Sequence, residues 1–206
     1  MVRPNTEDVL QGHAAETGRL YYLEFLAMNN PIRRFFQKHV EFKIFREHLR
    51  THHIDLTGRV VMDAGCGSGY TTELIIGEFK PSRVIAFDLM PEQIKLARKR
   101  GLGIDFFVGD MADIDVPDGT CDAVFIFGVL HHIKNWRVAV KEVIRTLKPG
   151  GVLLIEEPLY GFTWGELEEG LRASGLTMLA SRKLFLGYIR SYLFRKPGTA
   201  RNTSKG

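Results

Sequence analysis

The stretch Val60-Val61-Met62-Asp63-Ala64-Gly65-Cys66-Gly67-Ser68-Gly69 decides how this sequence is read. An apolar, β-type run ends in a carboxylate and passes into a G-x-G-x-G turn, and the residues that follow, Tyr70–Phe79, have a helical pattern. Glycines in such a turn permit positive φ and let a ligand lie directly against the backbone. A second carboxylate, Asp88, closes the next β-type run, Arg83–Asp88, 23 residues after Gly65. In that place a carboxylate can accept both hydroxyls of a ribose, so a nucleoside ligand is implied. The spacing departs from the G-x-G-x-x-G of dinucleotide sites, and Asp63 would set a negative charge near a diphosphate. A ligand carrying a sulfonium and an ammonium suits that acid better.

Working outward, short β-type runs alternate with helical patterns from Gly58 onward. Strands are expected at Arg59–Ala64, Arg83–Asp88, Ile104–Val108, Asp122–Phe127 and Val152–Glu156. Helices are expected at Tyr70–Phe79, Pro91–Arg100 and Arg137–Leu147, the second opened by proline and stopped by Gly101. Near-continuous apolar strands in this order predict an α/β protein with a doubly wound, mostly parallel sheet. After Glu157 a helix over about residues 163–173 precedes two β-type runs, Met178–Leu184 and Ile189–Phe194, which read as an antiparallel hairpin completing seven strands. Residues 17–50 form a helical region interrupted at Asn29-Asn30-Pro31. The expected organisation is an N-terminal helical cap over residues 1–57, a ligand-binding domain over 58–197 and a disordered tail over 198–206.

With those elements in place, the sequence resembles the class I S-adenosylmethionine-dependent methyltransferases, specifically the small-molecule kind of ubiquinone and menaquinone biosynthesis. Val60–Gly69 resembles the family's first motif and Asp88 its ribose-binding acid. Val108-Gly109-Asp110-Met111 resembles the adenine-recognition segment, Phe127-Gly128-Val129-Leu130-His131-His132 the turn after the fourth strand, and Leu147-Lys148-Pro149-Gly150-Gly151 the turn before the fifth. The resemblance implies a Rossmann-like methyltransferase fold with S-adenosylmethionine as cofactor. It implies that the backbone of Gly65, Cys66 and Gly67 holds the methionine part, with Asp63 toward its ammonium and Gly69 closing the turn. Asp88 would bind the ribose, Leu89 would pack on the adenine, and Asp110 would accept its amino group, with the Met111 backbone and Gly128 nearby. Bland alternatives stand beside these roles: Asp63 as a cap of the turn, Asp110 as a loop stabiliser and Met111 as core.

Methyl transfer needs alignment above all, and a base only when the acceptor loses a proton. His131 is the candidate, following the fourth strand on the edge of the sheet where such folds bind ligands. No third residue has metal-ligand spacing beside either histidine pair, so no metal is expected. The surplus aromatics Tyr21, Tyr22, Phe25, Phe35 and Phe36 suit a small apolar, aromatic or lipid-like acceptor, and equally suit amphipathic helices held to a core. Gly128-Val129-Leu130-His131 departs from the Asn/Asp-Pro-Pro-aromatic pattern of enzymes that methylate DNA base amines, so no DNA partner is expected. A cofactor-binding module without catalysis, a methyltransferase acting on RNA or protein, and a nicotinamide oxidoreductase remain as alternatives.

Composition bounds the rest. The 206 residues are 45% hydrophobic and 25% charged, as in an ordinary globular protein. The formal +4 divides into +2 over residues 1–59, −6 over 60–169 and +8 over 170–206, where no acidic residue occurs. An acidic body with a basic end suggests an anionic partner, RNA or a membrane surface, at Arg182, Lys183, Arg190, Arg195 and Lys196; one buried hairpin face is the simpler reading. Two cysteines make no disulfide framework, the first residues lack a signal-peptide core, and no apolar run approaches the ~20 residues of a membrane span. A cytoplasmic protein is the expectation.

Overall fold

The computed structural model describes residues 30–198. The expectations for Tyr21, Tyr22, Phe25 and most of the cap, and for the tail beyond residue 198, lie outside them. The chain divides between Phe36 and Gln37. Before that point the described residues form one short helix, α1 (Pro31–Phe36), on which Phe35 and Phe36 meet edge to face at 6.1 Å.

After it, a π-helical turn (Gln37–Glu41) leads into α2 (Phe42–Thr51), and the α/β pattern begins. Seven strands follow: β1 (Val60–Ala64), β2 (Arg83–Asp88), β3 (Phe106–Val108), β4 (Cys121–Phe127), β5 (Leu147–Pro158), β6 (Thr177–Leu184) and β7 (Ile189–Arg195). Between them lie α3 (Tyr70–Phe79), α4 (Pro91–Arg98), α5 (Trp136–Thr146) and α6 (Trp164–Ala173). They form one sheet of order β3-β2-β1-β4-β5-β7-β6, in which all pairs up to β4–β5 are parallel and the β5–β7 and β7–β6 pairs are antiparallel. This is the doubly wound sheet with a C-terminal hairpin that the sequence predicts. The strand order reverses between β1 and β4, where open α/β sheets bind ligands at their carboxyl edge.

The inner strands β1, β2 and β4 are largely apolar because both faces of the sheet are covered there. Along β4, Ala123, Phe125 and Phe127 enter a cluster with Phe42, Phe45 and Leu49 of α2 and Ile75 and Phe79 of α3. Val124 and Ile126 face the opposite cluster, with Trp136, Ala139, Val140 and Val143 of α5 and Leu167 and Leu171 of α6. Phe42 stacks on Phe79 at 5.5 Å and on Phe127 at 5.7 Å. The sequence reading puts residues 42–51 with the cap; their aromatics instead belong to the sheet's own core, because the face of β1 and β4 needs a second helix beside α3.

Lys148-Pro149-Gly150-Gly151, expected as a turn ahead of the fifth strand, is a bulged part of β5. Its register with β4 jumps from Cys121↔Leu147 to Ala123↔Val152, and the backbones of Gly150 and Gly151 exchange hydrogen bonds of 2.9 Å with Lys196. The basic end is largely consumed by the fold. Arg182 pairs with Glu47 at 2.6 Å, Arg190 pairs with Glu168 at 2.7 Å, and Lys196 donates to the carbonyls of Ile144 and Leu147 at 2.7 and 2.6 Å. Three of the five cations set aside for an anionic partner therefore have protein partners.

Candidate active site

The carboxyl ends of β1, β2, β4 and β5 bring the chemistry to one edge. At the end of β1, Asp63 is only 1% exposed. Its Oδ2 accepts the hydroxyls of Thr71 and Thr72, at 2.8 and 2.6 Å, from the first turn of α3. Its Oδ1 is buried without a partner. Burial pushes the carboxyl up to about 6 against the two hydroxyl bonds, with the nearby charge of Asp88 adding a smaller push.

The G-x-G-x-G turn is held from β2. Gly65 and Cys66 donate to the Phe87 carbonyl at 2.9 Å each, and the Gly67 N–H donates to Asp88 Oδ2 at 2.8 Å. Met90 N–H donates to Asp88 Oδ1 at 2.9 Å, so each oxygen of Asp88 has one backbone bond and a remaining lone pair for a diol hydroxyl. Desolvation raises the Asp88 carboxyl despite those bonds. Gly65 has φ +79°, and a Cβ there would sit 2.6 Å from Val129 Cγ2. The turns after β1 and β4 therefore touch at the point where the strand order reverses.

Other expected residues divide between ligand edge and scaffold. The Cys66 side chain is buried against α4 with its thiol pushed up by desolvation, so only its backbone serves the turn. Gly69 is a packing position, where a Cβ would meet Ala97 Cβ at 3.0 Å. Leu89 is half-buried beside Asp88. Asp110 is exposed, with Oδ1 accepting the Ala112 N–H at 2.8 Å, while the Met111 side chain is in the core. Gly128 has φ +62° and donates to the Glu156 carbonyl at 2.7 Å.

After β4, the short 3₁₀ turn Leu130–His132 carries His131 against a residue the sequence reading passed over. Glu157 of β5 has a fully buried side chain. Its Oε1 accepts the N–H groups of Val129 and Leu130 at 2.8 Å, and its Oε2 lies 2.7 Å from His131 Nδ1. That partner assigns the proton of the neutral ring to Nδ1 and leaves Nε2 as the acceptor. Tyr160 meets the imidazole edge to face at 5.9 Å. His131 also lines a cleft of about 350 Å³ with Leu130, Ile133, Lys134, Trp136, Arg137, Gly161, Phe162 and Glu166. Among the described residues no cluster of three or more His, Cys, Asp or Glu side chains is arranged to hold a metal, and no helix is long and apolar enough to cross a membrane.

This sheet order, with two acids flanking a glycine turn, is the arrangement expected of a class I S-adenosylmethionine-dependent methyltransferase domain. Residues 62–155 match the family described as a methyltransferase domain. Over 138 residues the chain is 30% identical to a fatty-acid O-methyltransferase of Mycolicibacterium smegmatis, covering 66% of this chain and 50% of that protein. Over 97 residues it is 33% identical to a malonyl-[acyl-carrier protein] O-methyltransferase of Serratia marcescens, covering 47% and 37%. The chain thus spans half or less of the length of these relatives. The crystal structure of a SAM-dependent methyltransferase from Aquifex aeolicus superposes with a TM-score of 0.68 at 21% identity, covering 84% of this chain and 96% of that one, which shows the shared fold.

Proposed function

We propose that this chain methylates an oxygen of a small lipid-like or carboxylic acceptor, with S-adenosylmethionine as donor. The observation that carries the reading is the Asp63–Asp88 pair around the glycine turn, lying across the β1/β4 reversal from a histidine oriented by a buried glutamate. The residues fit the cofactor: the unpaired Asp63 oxygen would take its ammonium, the Gly65–Gly67 backbone its methionine part and Asp88 its ribose diol. Leu89 and Asp110 would border the adenine. When bound, the cofactor supplies an electrophilic methyl group on a sulfonium.

The protein must then hold the acceptor oxygen in line with that methyl and exclude water. An alcohol or phenol must shed its proton as the new O–C bond forms, and His131 Nε2 is the group that takes it while Glu157 steadies the ring charge. A carboxylic acceptor is already ionised at neutral pH and asks only for placement. The relatives named for fatty-acid and malonyl O-methylation support an acid or acyl acceptor.

Asp88→Ala should weaken binding of S-adenosylhomocysteine about a hundredfold, the loss of two charge-assisted hydrogen bonds. Calorimetry on a variant that melts like the parent decides it, and undiminished affinity would sink the ribose assignment. Labelled-methyl transfer to a panel of fatty acids, hydroxy acids and phenols tests the acceptor class. Transfer confined to nucleic acid or sugars would overturn it.

A further inference from the structure

Arg100 reaches the glycine turn from outside the candidate site. It stands just past α4, where its own N–H donates to the Ala97 carbonyl at 3.0 Å and the Gly101 N–H donates to that of Arg98 at 3.3 Å. The last turn of α4 lies against the start of α3, since a Cβ on Gly69 would meet Ala97 Cβ at 3.0 Å. From there the Arg100 side chain, only 18% exposed, makes three contacts. Its Nε donates to the Ser68 carbonyl at 2.6 Å, its Nη1 pairs with the Glu73 carboxylate, and its guanidinium lies over the Tyr70 ring, 5.4 Å from the centre. Arg98, on the same turn, goes instead to the Phe106 carbonyl on β3 at 2.8 Å.

These contacts bracket the residues that hold Asp63. The peptide between Ser68 and Gly69 is fixed at both ends, its carbonyl by Arg100 and its N–H by the Cys66 carbonyl at 2.9 Å. That peptide joins the glycine turn to α3. Tyr70 and Glu73, three residues apart, share one face of the helix. Thr71 and Thr72 between them are buried, with both hydroxyls on Asp63. A planar fork of donors can hold a carbonyl, a carboxylate and a ring face at once, which a lysine cannot. Glu73 is 49% exposed, so the ion pair adds little stability and serves to fix where the guanidinium lies. The charges that shift the Asp63 and Asp88 carboxyls do not include Arg100. Its influence on the site runs through the backbone.

We propose that Arg100 is a positioning residue for the amino-acid end of S-adenosylmethionine. It holds the Ser68–Gly69 peptide and the first turn of α3 in the pose that offers the Gly65–Gly67 backbone and Asp63 to that end. This rests on the reading of the glycine turn as the seat of the methionine part. Asp88 is carried by β2 and has a second anchor in the Met90 N–H, so the ribose end depends less on the clamp.

The test compares two ligands by calorimetry: S-adenosylhomocysteine, which has the amino-acid end, and methylthioadenosine, which keeps the adenosine and lacks it. Arg100→Met should weaken S-adenosylhomocysteine about tenfold and methylthioadenosine less than about twofold. Arg100→Lys, which keeps one donated bond and loses the fork, should weaken S-adenosylhomocysteine about threefold and spare methylthioadenosine. Equal weakening of both ligands would make Arg100 a structural prop and overturn the proposal, as would undiminished binding of S-adenosylhomocysteine by Arg100→Met. If Arg100→Met does not fold, the comparison passes to Arg100→Lys; if neither folds, Arg100 is a structural prop and the proposal falls. A parent that binds methylthioadenosine as tightly as S-adenosylhomocysteine has no seat for the amino-acid end. That result would overturn the reading of the glycine turn, and the proposal with it.

Discussion

The two halves of the candidate site, on either side of the β1/β4 reversal, are built by different means. On the β1–β2 side, two carboxylates each gather backbone N–H groups or hydroxyls around the glycine turn: Asp63 with Thr71 and Thr72, Asp88 with Gly67 and Met90. On the β4–β5 side, one fully buried carboxylate, Glu157, ties down two amides and an imidazole 26 to 28 residues away. The first half has the form of the cofactor receptor proposed above. The second sets the orientation of a single imidazole, whose proposed use depends on which acceptor arrives.

The sharpest way to separate the halves is Glu157→Gln. With an alcohol or phenol acceptor it should lower kcat by about 10² to 10³ with little change in KM, because the amide no longer fixes the tautomer or steadies the charged ring. Affinity for S-adenosylhomocysteine should stay at the parental value. A carboxylic acceptor should be spared most of the loss, and an equal loss on both acceptor types would remove His131 from proton transfer and leave Glu157 a structural clamp.

The contact between the halves is broken by Gly65→Ala. Its methyl would collide with Val129 and sit at positive φ, so a loss of about 2 to 4 kcal/mol in unfolding free energy is expected. Adding Val129→Ala should recover the part due to the collision and leave roughly 1 kcal/mol of backbone strain. Denaturant titration of the two variants measures both parts. No recovery would mean that the turns do not meet as described.

The smallest effect concerns the charge on the cofactor side. Asp63 holds its proton up to about 6 when folded and to 3.8 when unfolded, chiefly because it is buried. The folded state therefore binds the extra proton between those values. The Asp63 contribution to stability is greatest below about pH 4 and is lost as pH rises through about 6. Asp63→Asn should accordingly stabilise the ligand-free protein by about 1 to 3 kcal/mol above pH 7, with the advantage vanishing toward pH 4. In the parent, binding of an ammonium-bearing ligand should release a proton and weaken as pH falls below about 6. Calorimetry in buffers of different ionisation enthalpy checks that release, and a pH-independent affinity would place the ammonium elsewhere.

The same contrast explains what was legible in the sequence. Asp63, Gly65, Gly67 and Asp88 could be read because a strand, a glycine turn, a helix and a second strand follow one another in an order that fixes which strand ends are neighbours. Glu157 could not. Glu156 and Glu157 sit side by side at the end of an apolar strand and are both buried, and strand alternation alone does not say which faces the turn after β4. The available signal was the cost of burying a carboxylate at all, which demands donors, and the nearest unassigned donors were in the Val129–His131 turn. At the basic end the hairpin, the simpler of the two readings, is what the structure shows; the ion pairs with Glu47 and Glu168 could not be read, because both acids lie on helices outside the hairpin.

The placement of β7 has a further consequence for how the molecule is made. β7 leaves the ribosome last among the described strands, yet it lies between β5 and β6. Until Ile189–Arg195 has emerged, β5 is paired on one side only, and its outer edge offers unmet backbone groups to any passing strand. The strands bearing Asp63 and Asp88 need no such wait. During synthesis the nucleoside-binding half is therefore complete in its pairing well before the strand that carries Glu157 is protected on both flanks.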